Sequence, residues 1–83
     1  PNPFNPSTQF PVEISQESDA TLRVYDISGK KVYEQRIENM QPGVYDSNSP
    51  FVWDAQNFSS GIYMSSIELS TGEIDFNKLM LIK

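Results

Sequence analysis

A chain of 83 residues without cysteine or histidine is of single-domain size, with no disulfide staple and none of the preferred ligands for zinc, iron or copper. Six Lys and Arg against eleven Asp and Glu give a net charge of −5, which opposes approach to phosphate backbones and anionic lipid surfaces and argues against nucleic-acid binding and direct membrane insertion. The longest apolar run, Leu79 to Ile82, falls far short of the roughly 20 residues of a spanning helix.

The chain opens on Pro1-Asn2-Pro3-Phe4-Asn5-Pro6-Ser7-Thr8. Three prolines in six residues fix φ near the polyproline value and bias Asn2 and Asn5 toward extended geometry, so residues 1–7 read as a semi-rigid, proline-rich strap. Because residue 1 is proline rather than methionine, the chain is expected to be a piece of a longer polypeptide. Phe10, Val12 and Ile14 then alternate with Gln9, Pro11 and Glu13, the two-residue period of a strand with one buried face. Pro11 cannot donate to a ladder, which places that strand at an edge.

The second strand is predicted over Ala20 to Ile27 and the third over Lys31 to Ile37, joined by Asp26-Ile27-Ser28-Gly29 as a type I turn. In that turn Asp26 accepts backbone N–H groups and Gly29 takes positive φ. Asn39 to Pro50 reads as a long connection with one extended piece at Val44-Tyr45, followed by a short strand at Phe51-Val52-Trp53 that Asp54 closes. Gly61 to Leu69 carries Tyr63, Ser65, Ile67 and Leu69 on one face, and the turn Ser70-Thr71-Gly72-Glu73 leads to a last strand, Ile74 to Ile82. About seven short strands without a segment of helical period predict one all-β domain over 1–83, a small antiparallel sandwich of the Ig-like or fibronectin-like kind.

These residues carry a family likeness. The opening Asn2-Pro3-Phe4-Asn5-Pro6-Ser7-Thr8, then Leu22-Arg23-Val24-Tyr25-Asp26-Ile27-Ser28-Gly29-Lys30-Lys31-Val32, then Trp53-Asp54, Ser60-Gly61-Ile62-Tyr63 and the terminal Lys78 to Lys83 resemble, in this order, the C-terminal sorting domains of type IX secretion substrates. Over the middle segments the chain also looks similar to the Ig-like domain of flagellar hook-capping proteins. The resemblance implies a folded tag at the end of a secreted cargo protein, with no catalytic activity of its own. It implies recognition by an outer-membrane translocon, removal by a sortase-like protease, and a destination outside a Gram-negative-type bacterium or on its surface, by way of the periplasm. Two departures stand out: Trp53-Asp54 is followed by Ala55-Gln56 where many relatives have glycine, and the stretch from Gly43 to Trp53 is a few residues longer.

The expected partner-binding surface is the final hairpin, Gly61 to Lys83, with Lys78, Leu79, Met80, Leu81, Ile82 and Lys83 as its contact residues, because an exposed last strand offers unpaired backbone groups and its lysines offer point charges. The same lysines also fit a plainer role, blunting an edge strand against unwanted pairing. Trp53, Tyr63 and Tyr25 are assigned to the core, where aromatics of a small sandwich belong, rather than to a binding platform. Asp26, Gly29, Asp54 and Gly61 are assigned to turns. Asp26 and Asp54 do not make a hydrolase pair, since nothing holds them across a cleft, and Asp46-Ser47-Asn48 lacks the glycine and distal glutamate of a calcium loop. Without histidine the serines have no ordinary activating base, so the chain reads as a non-enzyme with no cofactor. The competing reading is an Ig-like accessory module that grips carbohydrate through a Trp or Tyr platform.

Overall fold

The computed structural model describes residues 7–83, and the strap expected over 1–7 lies outside them apart from Ser7. Every element among the described residues is a strand: β1 (Ser7–Gln9), β2 (Val12–Ile14), β3 (Ser18–Tyr25), β4 (Lys31–Met40), β5 (Gly43–Tyr45), β6 (Val52–Asp54), β7 (Gly61–Leu69) and β8 (Ile74–Leu81). One layer is an antiparallel sheet in the order β4-β3-β7-β8. The other is a ribbon in which residues 7–14 run antiparallel to 43–54 through the β1–β6 and β2–β5 ladders.

Eight strands stand where about seven are expected because Pro11, with no N–H to give, interrupts the first one. The partner strand breaks at the same place. From Gln9 to Val12 is three steps, whereas from Val52 to Tyr45 is seven, so four extra residues bulge out of the ribbon. This bulge lies within the stretch from Gly43 to Trp53.

Alternation builds the core. Phe10, Ile14, Leu22, Val24, Phe51, Trp53, Tyr63, Leu69 and Leu81 turn inward from both layers and are buried, while Gln9, Pro11 and Glu13 face solvent. Ala55, which follows Asp54, places its methyl in this core.

Several boundaries differ from those predicted. β3 ends at Tyr25 rather than Ile27, because Asp26 leaves the ladder to cap the turn and Ile27 sits exposed at its tip. β4 continues to Met40, which is buried at the end of the sheet opposite Ser18. The Asp19 carboxylate holds that extension by accepting the Asn39 N–H and an Arg36 guanidinium N–H, each at 2.9 Å. Tyr25, expected in the core, is half-buried on the outer face opposite Met64, because it shares the parity of Arg23 and not that of Val24.

The two hairpins of the main sheet turn in the same way. Asp26 N–H donates to the Lys30 carbonyl and Gly29 N–H to the Asp26 carbonyl; Leu69 N–H donates to the Glu73 carbonyl and Gly72 N–H to the Leu69 carbonyl. Each is a type I turn closed by a glycine at positive φ, +88° at Gly29 and +106° at Gly72.

Candidate functional site

The main sheet has two edge strands, β4 and β8, and inward side chains tie one of them to the other layer. On the β4 side, Tyr33 Oη donates to the Val52 carbonyl at 2.9 Å, and Gln35 Nε2 donates to the Pro50 carbonyl at 2.9 Å. Gln35 Oε1 accepts the Val52 N–H at 3.2 Å. These side chains fasten 50–52 to the inner face of β4. β8 pairs with β7 along its length and has no strand on its other side among the described residues. Alternate residues of β8 therefore turn their N–H and C=O groups away from the sheet.

The outer face of the same sheet is divided. Over β3 and β4 it is a lattice of ions: Arg23 pairs with Glu68 at 2.8 Å and with Glu34 at 3.9 Å, and Lys31 also reaches Glu34. These ions share charge at the surface and give the fold little net stability. Over β7 and β8 the face is apolar. Ile62 lies opposite Met80, Met64 opposite Lys78 and Ser66 opposite Phe76, with Ile74 and Ile82 at the two ends. Phe76, Met80 and Ile82 are more than 60% exposed (62, 63 and 65%). Apolar side chains this exposed, side by side, mark a surface built to be covered. In their midst the Lys78 ammonium has no hydrogen-bond or ion-pair partner among the described residues.

The predicted segment Lys78 to Lys83 is thus only partly on display. Lys78, Met80 and Ile82 point outward, whereas Leu79 is half-buried and Leu81 is buried in the core. Lys83 folds back: its N–H donates to Ser60 Oγ at 3.1 Å and its ammonium to the Gln56 carbonyl, clamping the chain end to the 55–60 loop. Phe76 and Ile74 lie within the expected hairpin but are not singled out by the sequence, although apolar residues on both faces of one strand are a signal for two covered faces. Gln35 was missed as well; a glutamine at an inward position, between Tyr33 and Ile37, signals a side chain with a backbone to hold.

The remaining candidates serve the scaffold. Asp26 Oδ1 accepts the Ser28 hydroxyl at 2.6 Å, the Ser28 N–H at 2.9 Å and the Lys30 N–H at 3.0 Å. The Ser28 hydroxyl and then the Lys30 N–H hold this carboxyl below the ordinary aspartate range. Asp54 Oδ1 accepts the Gln56 N–H at 3.0 Å, so both carboxylates cap their own turns. Trp53, 1% exposed, packs between Phe58 and Tyr63, and Tyr63 Oη donates to the Ser59 carbonyl at 2.7 Å just before β7 begins at Gly61. A carbohydrate platform built on Trp53 is therefore ruled out.

The described residues form a two-layer all-β sandwich with an edge strand, β8, whose outer face is apolar. The family model of the secretion system C-terminal sorting domain matches residues 1–83, and the chain belongs to that family. It is a sorting domain of type IX secretion, a pathway that carries its cargo through the outer membrane to the cell surface or the extracellular space. No curated protein and no solved structure matches the chain.

Proposed function

We propose that residues 1–83 act as one non-catalytic tag, recognised by the outer-membrane translocon through the β7–β8 hairpin. The observation that carries this reading is the Lys78 ammonium, without a partner among the described residues and set in exposed apolar side chains on a strand that has no neighbour on its other side among them. An open strand edge supplies backbone affinity, while the side chains beside it supply specificity. The charge of Lys78 sets register and discriminates among partners more than it adds affinity.

The test is a periplasmic reporter fused to these residues in a host with the type IX apparatus. Deleting Lys78 to Lys83 leaves the reporter in the periplasm, and normal export of that truncation removes the reading. Removal by a sortase-like protease is the fate we assign to the tag after export; the mass of the exported reporter, with or without these residues, decides it.

A further inference from the structure

The two layers do not stay in contact along their whole length. At one end Leu81 and Tyr63 are buried along with Trp53; at the other, the inward positions Asp75 and Asn77 of β8 are exposed, because nothing in the second layer covers them. The gap is an open groove of about 550 Å³ between the β2 segment and β7–β8, within the roughly 300–1,000 Å³ typical of ligand clefts. Phe10, Ile67 and Leu69 give it apolar walls, and Glu13, Glu73 and Asp75 ring it. It is lined by three carboxylates and by no lysine or arginine, and among the described residues none of the three is in an ion pair. Ile74, Asp75 and Asn77 of the edge strand β8 line the same groove.

We infer that this groove takes an extended segment of the docking partner in which apolar residues alternate with lysine or arginine. The inference rests on the proposed docking through β7–β8 and adds the chemistry of the occupant. An extended backbone satisfies the open edge of β8; on such a strand one set of alternate side chains points between the layers, where lysine or arginine stems lie over Phe10 and Ile67 and their cations meet the three carboxylates, while the apolar set lies on the outer face beside Phe76 and Met80. A second copy of this chain is a poor occupant, because each copy carries a net charge of −5.

The experiment uses the 83-residue chain and three labelled ten-residue peptides: one alternating valine and lysine, one alternating valine and glutamate, and the lysine peptide N-methylated at alternate residues. Binding is read by fluorescence anisotropy, and its location by amide shifts in nuclear magnetic resonance. The lysine peptide is expected to bind at least tenfold more tightly than either of the others, to weaken with added salt, and to shift amides within 10–15 and 73–78. The isosteric pair Glu73→Gln and Asp75→Asn, which keeps the groove's volume, is expected to lower that affinity at least fivefold. Equal binding of the lysine and glutamate peptides, full binding of the N-methylated one, or shifts confined to other regions would overturn the inference and leave Asp75 as a charge that merely guards an edge. Amide mapping on the unaltered chain keeps the test valid should the double variant fold poorly. A reporter whose export depends on Lys78–Lys83, in a chain that ignores the lysine peptide, retains the sorting reading and loses the groove; peptide binding with normal export after that deletion does the reverse.

Discussion

The rings of Trp53 and Tyr63 meet edge to face with centroids 5.2 Å apart, joining β6 of one layer to β7 of the other. Phe58 stacks on the same indole, also at 5.2 Å, so the closed end of the sandwich is an aromatic cluster centred on Trp53. Truncating such a ring costs about 3–5 kcal/mol. A domain of this size has only about 4–12 kcal/mol of stability to lose. Trp53→Ala is therefore expected to lose most of its stability in urea unfolding followed by circular dichroism. Trp53→Phe should lose much less, because the indole Nε1 has no hydrogen-bond partner among the described residues to forfeit. A Trp53→Ala midpoint close to that of the parent chain would move the centre of the core elsewhere.

The Asp26 turn makes stability depend on acid. The Ser28 hydroxyl, then the Lys30 N–H, favour the charged carboxyl, so its folded value lies below the unfolded value of about 3.9. Stability from this group is complete above about pH 4 and is lost as pH falls through the lower folded value. Glu34 is depressed in the same sense by its hydrogen bond from Lys31. Asp26→Ala should accordingly melt below the parent chain at pH 6, with the gap closing as the solution approaches pH 2. A gap that stays constant across that range would mean that the carboxyl's charge is not what the turn uses.

The strands and their facing were legible because period-two alternation with turn glycines is a local signal: Gly61–Leu69, Asp26 to Gly29 and the Phe10-Val12-Ile14 stripe all follow from neighbours in sequence. The resemblance that runs from Asn2 to Lys83 brought the family with it. What the sequence hides is which strand lies beside which. The open mouth at Asp75 depends on the second layer covering only one end of β7–β8, the clamp from Lys83 to Gln56 on the 55–60 loop lying beside that end, and the exposure of Phe76 and Met80 on the outer face having no layer over it among the described residues. Alternation alone is identical for a covered strand and an open one. Tyr25 shows the same limit, since aromatic character argues for the core and only its parity in β3 places it outside.

The apolar outer face yields a separable prediction. Phe76 and Met80 are 62% and 63% exposed, and substitutions at such sites usually stay within about 0.5 kcal/mol of the parent. Phe76→Ser with Met80→Ser should therefore leave the thermal midpoint nearly unchanged while cutting reporter export several-fold, and Lys78→Glu should do the same. Ile27→Ser, at the exposed tip of the opposite hairpin, is the control and should export normally. Equal export by all four chains would show that the translocon does not read this face.

Gln35 provides the last prediction, because its side chain ties the two layers together along β4. Its amide holds the Pro50 carbonyl and the Val52 N–H, backbone groups of the second layer. Gln35→Val keeps the strand propensity and removes both bonds, at a cost of about 1–3 kcal/mol if the backbone groups stay dry. The relief available to the variant is to let 50–52 lift away from β4, which uncovers the inner side of an edge strand. Hydrogen exchange at the Val52 amide should quicken at least tenfold, and sedimentation should reveal more concentration-dependent association than the parent chain shows. Since β8 is untouched, export should continue as long as the protein remains monomeric. Unchanged Val52 exchange together with a monomer at every concentration would mean that the β1–β6 ladder holds this segment without help from Gln35.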